Sequence, residues 1–104
     1  MSIRYSDSNW ARFKTHNKKT TTRGSRKKDG IHDRVKGSYF KPVKTGERVS
    51  IRFLRSKPLG ALTEADAIKD GFDTLQEYLD ELMMLNPGWT ANTVVYIHEN
   101  EVVA

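Results

Sequence analysis

The stretch NKKTTTRGSRKKDG, Asn17 to Gly30, sets six basic side chains around three consecutive threonines. Three readings fit that composition. Lysine and arginine clustered at a strand end can hold phosphate. A lysine beside a hydroxyl can serve as a base once burial lowers its pKa. A solvated loop without a ligand fits as well, because Gly, Ser and Lys favour turns while the three β-branched residues favour a strand. The phosphate candidates are Lys18, Lys19, Arg23, Arg26, Lys27 and Lys28, with Arg34, Lys36 and Lys41 just beyond. Arg23 and Arg26 also bring planar guanidinium groups able to stack on bases or fork onto them. Tyr39 and Phe40, set between Lys36 and Lys41, are candidates to stack on a base. The competing reading has one of these rings anchoring the end of the segment in the core.

Charge is polarised along the 104-residue chain, whose formal net charge is +5. Residues 1–50 hold 14 Lys or Arg against 4 Asp or Glu, whereas residues 51–104 hold 4 against 9. A basic face for a polyanion is expected, with RNA or single-stranded nucleic acid the commonest partner. Mutual attraction of the two halves within the fold is the alternative. Cysteine is absent, which excludes disulfides, thiol catalysis and zinc-thiolate sites together. His16, His32 and His98 show no ligand spacing, so no metal site is expected, and no cofactor. The glycines do not form a phosphate-cradling loop. No apolar run approaches a membrane span, and MSIRYSDSNW lacks the apolar segment of a signal peptide; the expectation is a cytoplasmic protein with no membrane partner.

The elements that must position these residues are legible in outline. SIRYS reads as a short strand, and Ser8 as the cap of a helix through Trp10 and Phe13 that stops at Asn17. The three-residue spacing of Trp10 and Phe13 sets both rings on one face, toward the core. KTTTR is a strand, and the polar segment from about Gly24 to Tyr39 reads as a mobile basic loop. In KPVKTGERVSIRF, KTG makes a turn into a strand whose Val49, Ile51 and Phe53 alternate with polar residues. LTEAD reads as a capping box, with Thr63 as N-cap and Asp66 in the reciprocal position. That helix should end near Gly71. Asp73 should then cap a second one, with Gln76 in its box and a stripe of Leu75, Tyr78, Leu79, Leu82 and Met83, ended by NPG. TVVYIH closes the chain as a strand. One domain over residues 1–104 follows, an α+β fold around a small sheet or partial barrel.

Two blocks resemble the ASCH domains of the PUA-like superfamily. FKTHNKKTTTR is similar to that family's helix end, Gly-Lys-Lys turn and Thr-rich strand, with Asn17 where the family often has Gly. KTGERVSIRF, followed by LTEADAIKDGFDTLQEYLDELMMLNPG and TVVYIH, is similar to its turn-strand, helix pair and closing strand. The resemblance implies a small β-barrel, or a strongly curved mixed sheet, with helices at its rim. It also implies RNA binding. Some members are amidohydrolases acting on N4-acetylcytidine, and others are ribonucleases. In the amidohydrolases a Lys, a Thr and an acidic residue form the catalytic set, and these positions fall on Lys19, Thr22 and Asp70. Asp70 stands where those enzymes carry Glu. Only about nine residues separate Phe53 from Thr63, where relatives carry a further strand.

Lys19 and Thr22 are three apart and would face opposite sides of an ideal strand, so they converge only through a turn or a bulge. Asp70 also has a structural reading: Asp-Gly is a turn pair, and its carboxylate can accept backbone N–H groups of the next helix. Asp73, Glu77, Asp80 and Glu81 make an acidic helix face, solvated or docked on a basic protein partner. The leading expectation is RNA or nucleotide binding, with phosphate on the basic edge and a base or modified nucleoside in an adjacent cleft. Deacylation of an N4-acetylcytidine-like nucleoside, ribonuclease activity and protein interaction are the alternatives.

Overall fold

The computed structural model describes residues 1–103. Its elements in chain order are β1 (Ser2–Ile3), α1 (Asp7–Thr15), β2 (Thr20–Arg23), β3 (Gly30–Lys36), β4 (Val43–Pro58), a single 3-10 turn (Leu59–Ala61), α2 (Glu64–Lys69), α3 (Leu75–Leu85) and β5 (Val94–Val103). The five strands form one mixed sheet in the order β1-β3-β4-β5-β2. Only β1 and β3 pair in parallel. This is an α+β fold with an open sheet; its edges, β1 and β2, do not pair with each other, so no barrel closes. A side chain spans the gap instead, as the Arg23 guanidinium donates to the Arg4 carbonyl at 2.8 Å.

Two departures from the sequence reading concern strands. The segment read as one loop from Gly24 to Tyr39 contains β3, which pairs with β4 from Gly30↔Ile51 to Lys36↔Val43. Its polarity hid it: the buried side chains of β3 are His32, Arg34 and Val35. KTG is not the turn either. Asp33 pairs with Arg48 and Val35 with Lys44, so β4 carries extra residues there as a bulge, with Gly46 at φ +90°. The turn lies earlier, at residues 37–42. The short Phe53–Thr63 connection is explained because β4 itself runs on to Pro58 against β5, with a second irregularity between Phe53 and Arg55.

Helix boundaries shift by a residue or two at the caps. Ser6, not Ser8, caps α1 by accepting from the Asn9 N–H, and Thr74, not Asp73, caps α3 by accepting from Glu77. The Thr63–Asp66 capping box forms as expected. The larger core packs α2 and α3 on the sheet through Leu59, Leu62, Ala67, Phe72, Tyr78, Leu82, Val95 and Ile97. On α3's stripe Met83 is exposed. A smaller core of Ile3, Val49 and Ile51 is covered by Tyr5 and Trp10, and Tyr5, Trp10 and Phe13 pack edge-on or tilted with centroids 5.3–5.5 Å apart. No helix among the described residues is long and apolar enough to cross a membrane.

Candidate functional site

The dipeptide Asp70-Gly71 fixes the site's centre. Helix α2 ends in a Schellman motif: the Phe72 N–H donates to the Ala67 carbonyl at 2.9 Å, and the Gly71 N–H to that of Ile68 at 3.0 Å. Gly71 takes φ +88°, and a Cβ there would meet the Cβ atoms of Arg12 and Lys18 at 3.1 Å. Glycine therefore allows the α1–β2 connection to close on the helix end, leaving Asp70 as C-cap with a fully buried side chain.

The partner of Asp70 arrives by a second left-handed residue. Asn17, at φ +51°, reverses the chain after α1. Lys18 then turns inward and Lys19 outward. The Lys18 ammonium contacts Asp70 Oδ1 and donates to the Asp70 carbonyl at 2.8 Å, with its side chain only 1% exposed. Lys19, expected in this role, is exposed; its backbone N–H donates to the Lys69 carbonyl at 2.7 Å and its carbonyl accepts from Asn100 at 2.8 Å. The structure thus brings Lys18, and not Lys19, together with Thr22 and Asp70. Thr22 Oγ1 donates to Asp70 Oδ2 at 2.8 Å. It also contacts the Tyr78 hydroxyl; because the threonine proton is committed to Asp70, the phenol is the donor in that contact.

Burial dominates the electrostatics. It pushes the Asp70 carboxyl up, against the attraction and hydrogen bonds of Lys18 and the bond from Thr22. It pulls the Lys18 amine down, an effect Asp70 opposes and Arg23 and Arg12 reinforce. The Tyr78 phenol is driven upward by burial and by the neighbouring Asp70 carboxylate, which keeps it a proton donor. The set is a chain of hydroxyl, hydroxyl and carboxylate with a lysine at its end, in which the Thr22 proton has an acceptor in place.

A cavity of about 490 Å³ opens over this set. Lys18, Thr21, Thr22 and Asp70 line it, together with Arg4, Tyr5, Asn9, Arg23, Lys27, Phe72 and Trp89. Its walls are tied together by polar contacts. The Tyr5 hydroxyl donates to Asn100 Oδ1 at 2.5 Å, and Asn100 Nδ2 donates to Thr21 Oγ1 at 2.8 Å. Burial pushes the Tyr5 phenol up to about 12. The Arg23 guanidinium lies 5.0 Å from the Tyr5 ring centroid. His98, wholly buried, accepts the Lys27 backbone N–H on Nε2 at 2.9 Å and so anchors the β2–β3 connection. Burial, then Arg23 and Lys27, hold the imidazole down near 4.

The basic candidates divide three ways. Lys18 and Arg34 are buried and belong to the interior: Arg34 bonds Glu47 at 2.7 Å and lies over Trp10, 4.0 Å from its ring. Neither presents charge to an outside polyanion. Arg23 and Lys27 are at the cavity. Arg26, Lys28, Lys36 and Lys41 are exposed, Arg26 lying 4.3 Å from the Phe53 ring. Tyr39 and Phe40 are both exposed at the β3–β4 turn, so neither ring anchors the segment in the core.

Tyr5, Asn9, Tyr78, Trp89 and Asn100 were not singled out as site residues from sequence. Tyr78 carried the nearest signal, a hydroxyl on an otherwise aliphatic stripe. Among the described residues no group of three His, Cys, Asp or Glu could hold a metal ion. No family model matches the chain, and neither does any curated protein or solved structure.

Proposed function

We propose that the chain is an ASCH-type domain that binds RNA or a nucleotide, holding a base or modified nucleoside in the cavity and phosphate on the cationic rim beside it. The observation that carries this reading is the cavity itself. At about 490 Å³ it lies within the range of small-molecule pockets, and it combines aromatic wall residues (Tyr5, Phe72, Trp89) with the cations Arg4, Arg23 and Lys27. Beyond the cavity, exposed Arg26 and Lys28 extend the positive charge along the β2–β3 connection. The buried Lys18–Asp70 pair supports a functional floor, because an ion pair stripped of water is seldom a net source of stability. Titration with a mixed-sequence RNA oligonucleotide tests the reading. Affinity should fall steeply as salt rises from 50 to 200 mM on the order of several-fold or more. Binding indifferent to salt, or none at all, would count against it.

One specific observation favours a second reading, an amidohydrolase acting on an N4-acetylcytidine-like nucleoside. Thr22 Oγ1 already donates to Asp70 Oδ2 at 2.8 Å. In that reaction Thr22 Oγ attacks the acyl carbonyl while Asp70 takes its proton, and the proton passes to the departing amine. Water then hydrolyses the acyl-threonine, releasing the acid and restoring the hydroxyl. Tyr78 would donate to Thr22 Oγ before attack and Lys18 would fix the carboxylate. Incubation with N4-acetylcytidine should yield cytidine with wild type and none with Thr22→Val. No turnover by wild type removes this reading and leaves the first intact.

A further inference from the structure

The turn between β3 and β4 exposes two aromatic rings, Tyr39 at 88% and Phe40 at 94%, far more than packing or folding requires. Arg4 links the turn to the cavity rim. The Arg4 guanidinium donates to the carbonyls of Gly37 at 2.6 Å and Ser38 at 2.9 Å, and it sits 5.4 Å from the Tyr39 ring centroid. Arg4 also lines the cavity. The rim cation and the Tyr39 ring therefore lie side by side, with Phe40 and Lys41 exposed at the same turn.

We propose that Tyr39 and Phe40 are a stacking platform for a second nucleotide, adjacent to the one in the cavity, so that the ligand is single-stranded nucleic acid and not a free nucleoside. This rests on the reading of the cavity as a base pocket. Aromatic rings exposed beside a cationic path stack on bases of any sequence, while Arg4 and Lys41 match the intervening phosphate. The alternative occupant of an aromatic tip flanked by lysine is an anionic lipid surface. Each terminal nitrogen of Arg4 donates one N–H to a turn carbonyl and keeps a second for phosphate, which favours a fixed platform over an inserting wedge.

The test compares a labelled RNA octamer of mixed sequence with N4-acetylcytidine and cytidine monophosphate, using wild type, the double variant Y39L/F40L and the aromatic swap Y39F/F40W. Octamer affinity of the leucine variant should fall about ten- to a hundredfold. The aromatic swap should retain wild-type affinity, and thermal midpoints should agree among the three proteins. The loss should be much smaller for the two small ligands. An octamer affinity within twofold of wild type for Y39L/F40L overturns the platform. So does equal loss for octamer and small ligands, which would make the turn a part of the cavity wall. Wild type that binds a small ligand but no octamer overturns the platform alone; wild type that binds none of the three overturns the base pocket with it. Loss of binding to phosphatidylserine vesicles by Y39L/F40L, with octamer binding unchanged, would assign the turn to a membrane surface.

Discussion

The two ends of α2 carry the same three residue types in different physical states. At its start Asp66 accepts from Lys57 Nζ at 2.6 Å and from Thr63 Oγ1 at 3.1 Å. At its end Asp70 meets Lys18 Nζ and accepts from Thr22 Oγ1 at 2.8 Å. Burial pushes both carboxyls upward. At Asp66 the bonds from Lys57 and from the Thr63 backbone and side chain outweigh it, and the group stays below the usual carboxylate range. At Asp70 burial wins. Two things separate them. Lys57 keeps 22% of its side chain in solvent, against 1% for Lys18. Asp66 sits in the first helical turn, where backbone N–H groups favour a negative charge, whereas Asp70 caps the carbonyl end. The same trio makes a helix cap in one place and a buried pair beneath the cavity in the other.

The largest expected effect comes from breaking the buried pair at one side only. Asp70→Ala leaves an ammonium without its counter-charge, and Lys18→Met leaves a carboxylate likewise; each should cost about 3–5 kcal/mol in denaturant unfolding. The double change Lys18→Met with Asp70→Leu should recover most of that loss while abolishing ligand binding. Singles costing less than about 1 kcal/mol would show that water reaches the pair, and the distinction drawn between the two helix ends would fail.

His98 shares the condition of Asp70, a titratable group whose surroundings oppose its charge. Its imidazole is held near 4 by burial, then by Arg23, with Lys27 adding and Asp29 opposing. The unfolded chain takes up a proton near the ordinary value of about 6.5, so it binds more protons than the fold between those two limits. Stability is then complete above about 6.5 and is lost as pH falls toward 4, by up to about 3 kcal/mol. His98→Gln, which keeps an acceptor for the Lys27 N–H, should flatten that slope. An unchanged slope would place the titration elsewhere.

The contrast also explains what could be read from sequence. Thr63-x-x-Asp66 is a local pattern, three residues apart at a helix start, and it was legible as a capping box. Asp70 became a candidate only through the family resemblance; its own residues gave a structural reading, because Asp-Gly favours a turn. Which of Lys18 and Lys19 faces it was not, since adjacent residues at a strand entry point opposite ways and a one-residue change inverts them. That choice depends on the left-handed Asn17, a tertiary feature of the α1–β2 turn. Strand β3 was hidden for a related reason. Its inward His32 and Arg34 are polar, and burial is tolerated because Arg34 finds Glu47 and Trp10, partners distant in sequence. The open sheet was outside the reach of any local pattern, because β1 and β2 differ from interior strands only by lacking a neighbour.

The smallest effect should come from Lys57→Met. Its partner Asp66 keeps the Thr63 backbone bond at 2.9 Å, and Arg55 remains 3.9 Å away. A partly solvated pair of this kind is worth roughly 0–1 kcal/mol. The change should leave ligand binding untouched and alter only the acid limb of stability. With Lys57 gone, Asp66 loses part of what holds its pKa down, so its native and ordinary values draw together. Since a lowered carboxyl contributes stability above its unfolded value and loses it as pH falls through the native one, the variant should lose less across the range below about pH 4. A Lys57→Met cost as large as that of Lys18→Met would mean that both ends of α2 hold their lysines for structure alone, and the cavity-side trio would lose its claim to be different.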